Sequence, residues 1–274
     1  MRSDNSPTPF VKWVGGKRSL LREIHARLPE KFNHYFEPFV GGGAVFFSIV
    51  DRIEHATVVD QNIELVLAYQ SIKKEPLALI EKLKEHAAKH NKEYYYAVRK
   101  KSPKTPLEIA ARFLYLNKTC FNGLYRVNKS GGFNAPMGTY ENPRIANEEN
   151  ILACHKALQK TDVIFGDFER IRSLVRRGDF IYFDPPYHPT TDELSFTAYT
   201  KENFTEKDQV RLQEFAIEMH RLGAFIMLSN SKTKLIEDLY RSSKFHQHVV
   251  LAPRFVNCKP GERDKVEEFL ITNY

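Results

Sequence analysis

The chain has 274 residues, 42% of them apolar, which suffices for one large domain or two modest ones with a proper core. No apolar run approaches the ~20 residues that span a membrane, and the polar stretch 1–9 lacks a signal-like apolar segment. Three scattered cysteines, Cys120, Cys154 and Cys258, argue against a disulfide framework and a zinc site, and for a reducing, cytoplasmic compartment with no metal centre.

The net charge of +7 is unevenly spread: residues 73–160 carry 17 Lys and Arg against 8 Glu and no Asp, a net of +9, so the rest of the chain is slightly acidic. A basic module within a near-neutral frame suits a polyanion partner; a solvated helical surface is the plain alternative.

In chain order, residues 1–9 read as a loose leader. Phe10 to Lys17 places the only tryptophan, Trp13, beside Gly15-Gly16 and between Lys12 and Lys17. The glycines permit close backbone approach. Trp13 offers a stacking face or a core ring, and Lys17 a partner for a carboxylate or phosphate. The spacing is not that of a phosphate-binding P-loop. Residues 19–28 read as a helix ended by Pro29. A strand from His34 runs through Phe39 into Gly41-Gly42-Gly43, and 44–50 reads as a helix, the first half of a nucleotide-binding crossover. The next strand, 56–59, ends in Asp60, about 20 residues past the glycine turn, where a carboxylate suits a ribose diol. Asp60 could instead cap the helix that starts near Ile63, but with the glycine turn upstream the ribose is the preferred reading.

Helices are expected over 64–73, 76–90 and 106–120; with the Tyr94-Tyr95-Tyr96 segment they interrupt the strand–helix alternation. The glycine- and aromatic-rich loop 121–144 is long for a compact domain. In it Arg126 can read guanine, Asn122 or Asn128 adenine, and Leu124 or Pro136 a thymine methyl, while Phe121 can wedge into a base stack. The plain reading is a glycine-rich hairpin packed on its own aromatics.

A helix over 145–159 precedes a strand from Val163 that ends in Gly166-Asp167-Phe168, a turn offering one carboxylate and one apolar face. The run Phe180 to Phe183 reads as a buried strand stopped by Asp184-Pro185-Pro186-Tyr187, because two prolines remove two ladder donors. This puts a carboxylate, a restrained carbonyl and an aromatic ring at the carboxyl end of a strand, where α/β sheets bind ligands. Beyond it come a Thr-rich lid candidate (188–201), a long helix (204–222), a strand (224–228), a helix (231–241), and strands at 245–251 and 265–272 around a basic loop.

These pieces in this order (Lys12 to Lys17, Glu37 to Gly43, Phe121 to Arg126, Gly166 to Phe168 and Asp184 to Tyr187) resemble the Dam-type DNA adenine-N6 methyltransferases that act at GATC. The resemblance implies an α/β, Rossmann-like catalytic domain over 1–72 and 151–274. It also implies an inserted, mainly helical target-recognition domain over 73–150, and S-adenosylmethionine as methyl donor. Carried over position by position, it assigns Trp13, Lys17, Phe39, Gly41, Gly43, Asp60, Asp167, Phe168 and Asp184 to the cofactor. Lys12, Phe121, Asn122, Leu124, Arg126, Asn128, Pro136 and Tyr140 are assigned to DNA, and Asp184, Pro185, Pro186 and Tyr187 to catalysis.

The implied partner is double-stranded DNA, with no membrane and no obligate protein, in the cytoplasm or on the nucleoid, and restriction–modification is one setting. Competing readings are an enzyme for cytosine N4, RNA adenine or protein glutamine, or an inactive DNA-binding homologue. A dinucleotide oxidoreductase would want G-x-G-x-x-G, which Gly41 to Phe46 does not supply.

Overall fold

Apolar runs flanked by turn residues become the strands of an α/β fold. The computed structural model describes residues 6–128, 130–190, 204–242, 244–253 and 265–274. Its strands are β1 (His34–Glu37), β2 (His55–Asp60), β3 (Thr161–Phe165), β4 (Phe180–Phe183), β5 (Phe225–Ser231), β6 (His246–Pro253) and β7 (Lys265–Thr272). They form a mixed sheet in the order β3-β2-β1-β4-β5-β7-β6. β1 pairs in parallel with β2 and β4, and β4 with β5, whereas β7 runs antiparallel to both β5 and β6. The order reverses between β1 and β4, which is the switch point where open α/β sheets carry their ligands.

The described helices are α1 (Leu21–His25), α2 (Ala44–Ser48), α3 (Ile63–Lys74), α4 (Pro76–Ala88), α5 (Lys92–Lys100), α6 (Pro106–Thr119), α7 (Glu148–Leu158), α8 (Glu206–Arg221) and α9 (Lys234–Leu239). Several boundaries depart from the sequence expectation, each for a local reason. The helix over 19–28 is a 3-10 turn, Lys17–Leu20, followed by the short α1, whose N-cap Leu20 has no side-chain acceptor. α7 starts only at Glu148, because Asn147 before it has a non-helical ψ of 79°. Ser231 belongs to β5, and α9 starts only after Thr233, whose hydroxyl accepts from Ile236 N–H. The leader is tied at its end: Thr8 N–H and O bond the Asn150 amide. The lid candidate beyond Thr190 and most of the basic loop after 253 lie outside the described residues.

The chain forms two compact units. The first comprises the described residues through Lys17, with Val40–Arg52 and Val59–Gly166; the second comprises Arg18–Phe39, Ile53–Val58 and the described residues from Asp167. In the first, α6 is buried on nearly every side from Ala110 to Asn117, and α3 and α4 pack against it. Such a position demands partners for its polar groups. Arg112 donates to Glu64 Oε1 (3.0 Å) and to the carbonyls of Val98 (3.1 Å) and Arg99 (2.8 Å). Asn117 accepts from Lys12 N–H and donates to Lys12 O and Gly123 O, which fixes the segment before Trp13. In the second unit the core comprises β1, β4 and β5 residues together with Leu212, Phe215, Ala216 and Met219 of α8.

Two side chains of the first unit bear measurably on stability. Arg112→Met strands Glu64 and two carbonyls, so urea denaturation should show a loss of roughly 3–5 kcal/mol. His86, stacked on Tyr115 and bonded to the Tyr94 hydroxyl, has its pKa lowered by burial and by Lys101 to about 4. The unfolded chain therefore binds more protons between the ordinary His pKa of about 6.5 and that value, so stability falls as pH drops through this window. His86→Gln should flatten that part of the pH–stability curve.

Candidate active site

In the second unit β4 is buried over all four residues, and the two prolines end its ladder directly after Asp184. Asp184 itself is half-buried. Neutral hydroxyls surround this strand end: Tyr182 OH bonds Ser229 Oγ, and Tyr35 OH donates to the buried Glu37 carboxylate at 2.6 Å. Burial raises both phenols well above their usual pKa, and the negative charges of Glu37 and Asp184 add to it. Both rings therefore remain protonated across the physiological range. Tyr187 OH donates to Glu268 on β7 at 2.8 Å, and burial likewise pushes it up. The ring of Tyr187 is thus anchored at its tip.

The second unit also gathers Phe39, Phe168 and Phe204, with ring centroids 5.5 Å apart for Phe39–Phe168 and 5.7 Å for Phe39–Phe204. Phe168 is fully buried, whereas Phe39 and Phe204 are half-buried and have surface to spare. Asp167 caps the turn beginning at Phe168 and takes a two-point ion pair from Arg211 (3.1 and 2.9 Å). The same guanidinium covers the Phe168 ring at 4.5 Å. Arg211, which no sequence pattern singles out, therefore holds both residues of the Asp167-Phe168 turn.

In the first unit the glycine turn has no room for side chains. Gly41 (φ +48) would set a Cβ 2.7 Å from Trp13 Cδ1, and Gly43 (φ +70) one 2.5 Å from the Tyr69 hydroxyl. Trp13 lies between this turn and Tyr125, whose ring is 5.6 Å away. Asp60 Oδ2 accepts from Gly41 N–H (3.0 Å) and Oδ1 from Asn62 N–H (2.8 Å). Burial raises its pKa, and these backbone donors oppose the rise. Asn62, not Asp60, caps α3, so helix capping does not explain the carboxylate at the end of β2. Lys17 is buried and donates to Gly15 O.

The loop 121–144 is hairpin-like, with antiparallel bridges Cys120–Met137 and Val127–Phe133. Its first arm presents apolar surface: Phe121 is 51% exposed, and Leu124 and Val127 are exposed further along it. Asn122 (φ 53) is the one non-glycine residue with positive φ among those described, a conformation costing of order 1–3 kcal/mol. Arg126 and Pro136 are exposed, and Arg126 is braced by two bonds to Asn134. Asn128 spends its Oδ1 on Ser130 and Gly132, so that end of its amide holds the turn. Lys12 and Tyr140 meet, with Nζ 3.9 Å from the ring centre, and with Lys118 and Arg144 they line a basic cavity of ≈ 360 Å³.

Because Trp13 is the sole tryptophan, its contact with Gly41 is directly readable. Gly41→Ala should displace the indole and shift the intrinsic emission spectrum, while Gly42→Ala, whose Cβ would sit 3.4 Å from Trp13 Cβ, should shift it less.

The family description D12 class N6 adenine-specific DNA methyltransferase matches residues 13–252. A type II methyltransferase of Lactococcus lactis subsp. cremoris is 42% identical over 274 residues, covering 97% of this chain and 95% of the relative. A type II methyltransferase of Methanocaldococcus jannaschii is 41% identical, covering 97% and 99%. The DNA adenine methylase of Escherichia coli K12 is 33% identical, covering 95% and 93%. Together with the α/β fold and the Asp-Pro-Pro-Tyr turn at the end of β4, these matches place the chain in the D12 class of S-adenosylmethionine-dependent, N6 adenine-specific DNA methyltransferases.

Proposed function

We propose that the enzyme methylates N6 of an adenine flipped out of double-stranded DNA, within GATC, and that Asp184, Pro185, Pro186 and Tyr187 meet the base. The observation that carries this reading is the Asp184 carboxylate at the carboxyl end of β4, next to the β1–β4 switch point.

Each unit, taken by itself, offers groups that suit part of the cofactor. The first unit offers a glycine turn without Cβ atoms and the Asp60 carboxylate, suited to the methionine and ribose portions, with Trp13 against the turn and Lys17 held on Gly15 O. The second offers Phe39 and the Asp167-Phe168 turn for an adenine ring. S-adenosylmethionine, when bound, supplies an electrophilic methyl on a sulfonium.

The chain's own residues do the rest. An adenine amino group is a poor nucleophile because its lone pair is delocalised into the ring. Asp184 accepts one N6–H and the Pro185 carbonyl the other, which favours a pyramidal nitrogen and stabilises the positive charge that develops on it. Asp184 or solvent then takes the proton. The target atom is inaccessible in a stacked duplex, so the base is flipped, and the Tyr187 ring, steadied through Glu268, gives it a stacking face.

Residues 73–150 form the target-recognition region in this reading. Phe121 wedges into the stack, Asn122, Leu124, Arg126 and Pro136 meet base edges, and Lys12, Lys118, Tyr140 and Arg144 lie along phosphates. The names of the Lactococcus and Methanocaldococcus relatives support a role as the methyltransferase of a type II restriction–modification system, on DNA in the cytoplasm.

Methyl transfer from labelled S-adenosylmethionine to two duplexes, one with a single GATC and one with those bases permuted, tests the proposal. Label on the GATC duplex alone, abolished in Asp184→Ala and falling steeply with salt, is the expected result. Equal label on both duplexes would remove the GATC assignment, and label recovered on cytosine would remove the base assignment.

A further inference from the structure

Residues 185 and 186 have no N–H, so the sheet ladder cannot orient the turn after β4. Two buried side chains take over that task. Asn230, at the end of β5, and Gln209, on α8, are 0% and 2% exposed. Asn230 Oδ1 accepts from His188 N–H (3.0 Å) and from Ser231 N–H (2.9 Å). Its Nδ2 donates to Gln209 Oε1 (3.0 Å), and Gln209 Nε2 donates to Pro186 O (2.9 Å). Ser231 Oγ closes the array by donating to His188 O.

The array has one polarity. Two backbone N–H groups fix Asn230 Oδ1, so Nδ2 must face Gln209; that fixes Gln209 Oε1, so Nε2 must face the Pro186 carbonyl. Every member is neutral and satisfied, so it rigidifies the turn without placing a charge beside Asp184. The ring of Pro186 fixes its φ, and the bond to its carbonyl fixes the other side of the residue. The strand end holds the chain at Phe183. With both ends pinned, the Pro185 carbonyl has one direction.

We propose that Gln209 and Asn230 are positioning residues for the methyl transfer, aiming the Pro185 carbonyl and the Asp184 carboxylate at the target amino group. This rests on the Asp184 to Tyr187 turn being the one that meets the base. Neither side chain contacts the base itself.

The test uses the full chain with Gln209→Met, which keeps length and volume but removes both amide functions, and Gln209→Glu, which keeps the shape and the acceptor for Asn230 but sets a carboxylate oxygen against Pro186 O. Steady-state kinetics on the unmethylated duplex that accepts label, KM for S-adenosylmethionine and for DNA, and thermal melting are measured for both, with Asp184→Ala as control. The expected result is a fall in kcat of order 100-fold in both variants, the scale of a 1 Å misplacement, with both KM values unchanged; Gln209→Met, which leaves Asn230 Nδ2 and Pro186 O without their partner, melts lower but remains folded at the assay temperature. Wild-type kcat in a folded Gln209→Met protein overturns the proposal. A parallel worsening of kcat, both KM values and melting also overturns it, because that is general loosening. If Asp184→Ala is inactive while Gln209→Met is not, only the positioning role fails; if Asp184→Ala retains transfer, the reading of the turn fails first.

Discussion

Consecutive prolines impose the central constraint on this molecule. A strand normally hands its direction to the next residues through ladder hydrogen bonds, and Pro185-Pro186 cannot take part. The segment after β4 is therefore held by side chains from elsewhere in the second unit: Gln209 from α8, Asn230 and Ser231 from β5, and Glu268 from β7. The cost is a set of buried polar groups that must all be matched, and the benefit is a rigid carboxylate and carbonyl at a sheet edge. Neutral tyrosines near Asp184 belong to the same design, because they pack the strand end without adding charge to it.

The first unit solves a different problem, a close turn of main chain against an indole and a phenol. Gly41 and Gly43 occupy left-handed backbone where side chains would collide with Trp13 and Tyr69. Trp13 in turn leans on Tyr125 of the hairpin segment, whose hydroxyl donates to Glu64, the partner of Arg112. The glycine turn, the hairpin base and the buried face of α6 thus share one continuous set of contacts within that unit.

Much of this was legible in the sequence, because its strongest signals are local. Alternating strands and helices, the glycine turn after β1, Asp60 ending β2 and the proline pair after β4 are each written in a few adjacent residues. So is the hairpin character of 121–144. The long-range contacts escaped. Gln209, Asn230, Glu268 and Arg211 look like ordinary polar residues of a helix or a strand, and only the tertiary fold brings them to the Pro186 carbonyl, the His188 amide, the Tyr187 hydroxyl and the Asp167 carboxylate. Asp60 shows the same limit in reverse: its sequence position suited a helix cap, but the neighbouring Asn62 performs that task.

The placement of β7 carries a consequence for how the protein is made. It follows both β5 and β6 in chain order, yet it lies between them. During synthesis β5 and β6 leave the ribosome before the strand that joins them, so that half of the sheet can close only afterwards. Glu268 arrives with it. The Tyr187 ring is thus steadied only once β7 has been made, and a nascent fragment that ends before β7 still lacks that support for the Asp184 to Tyr187 turn.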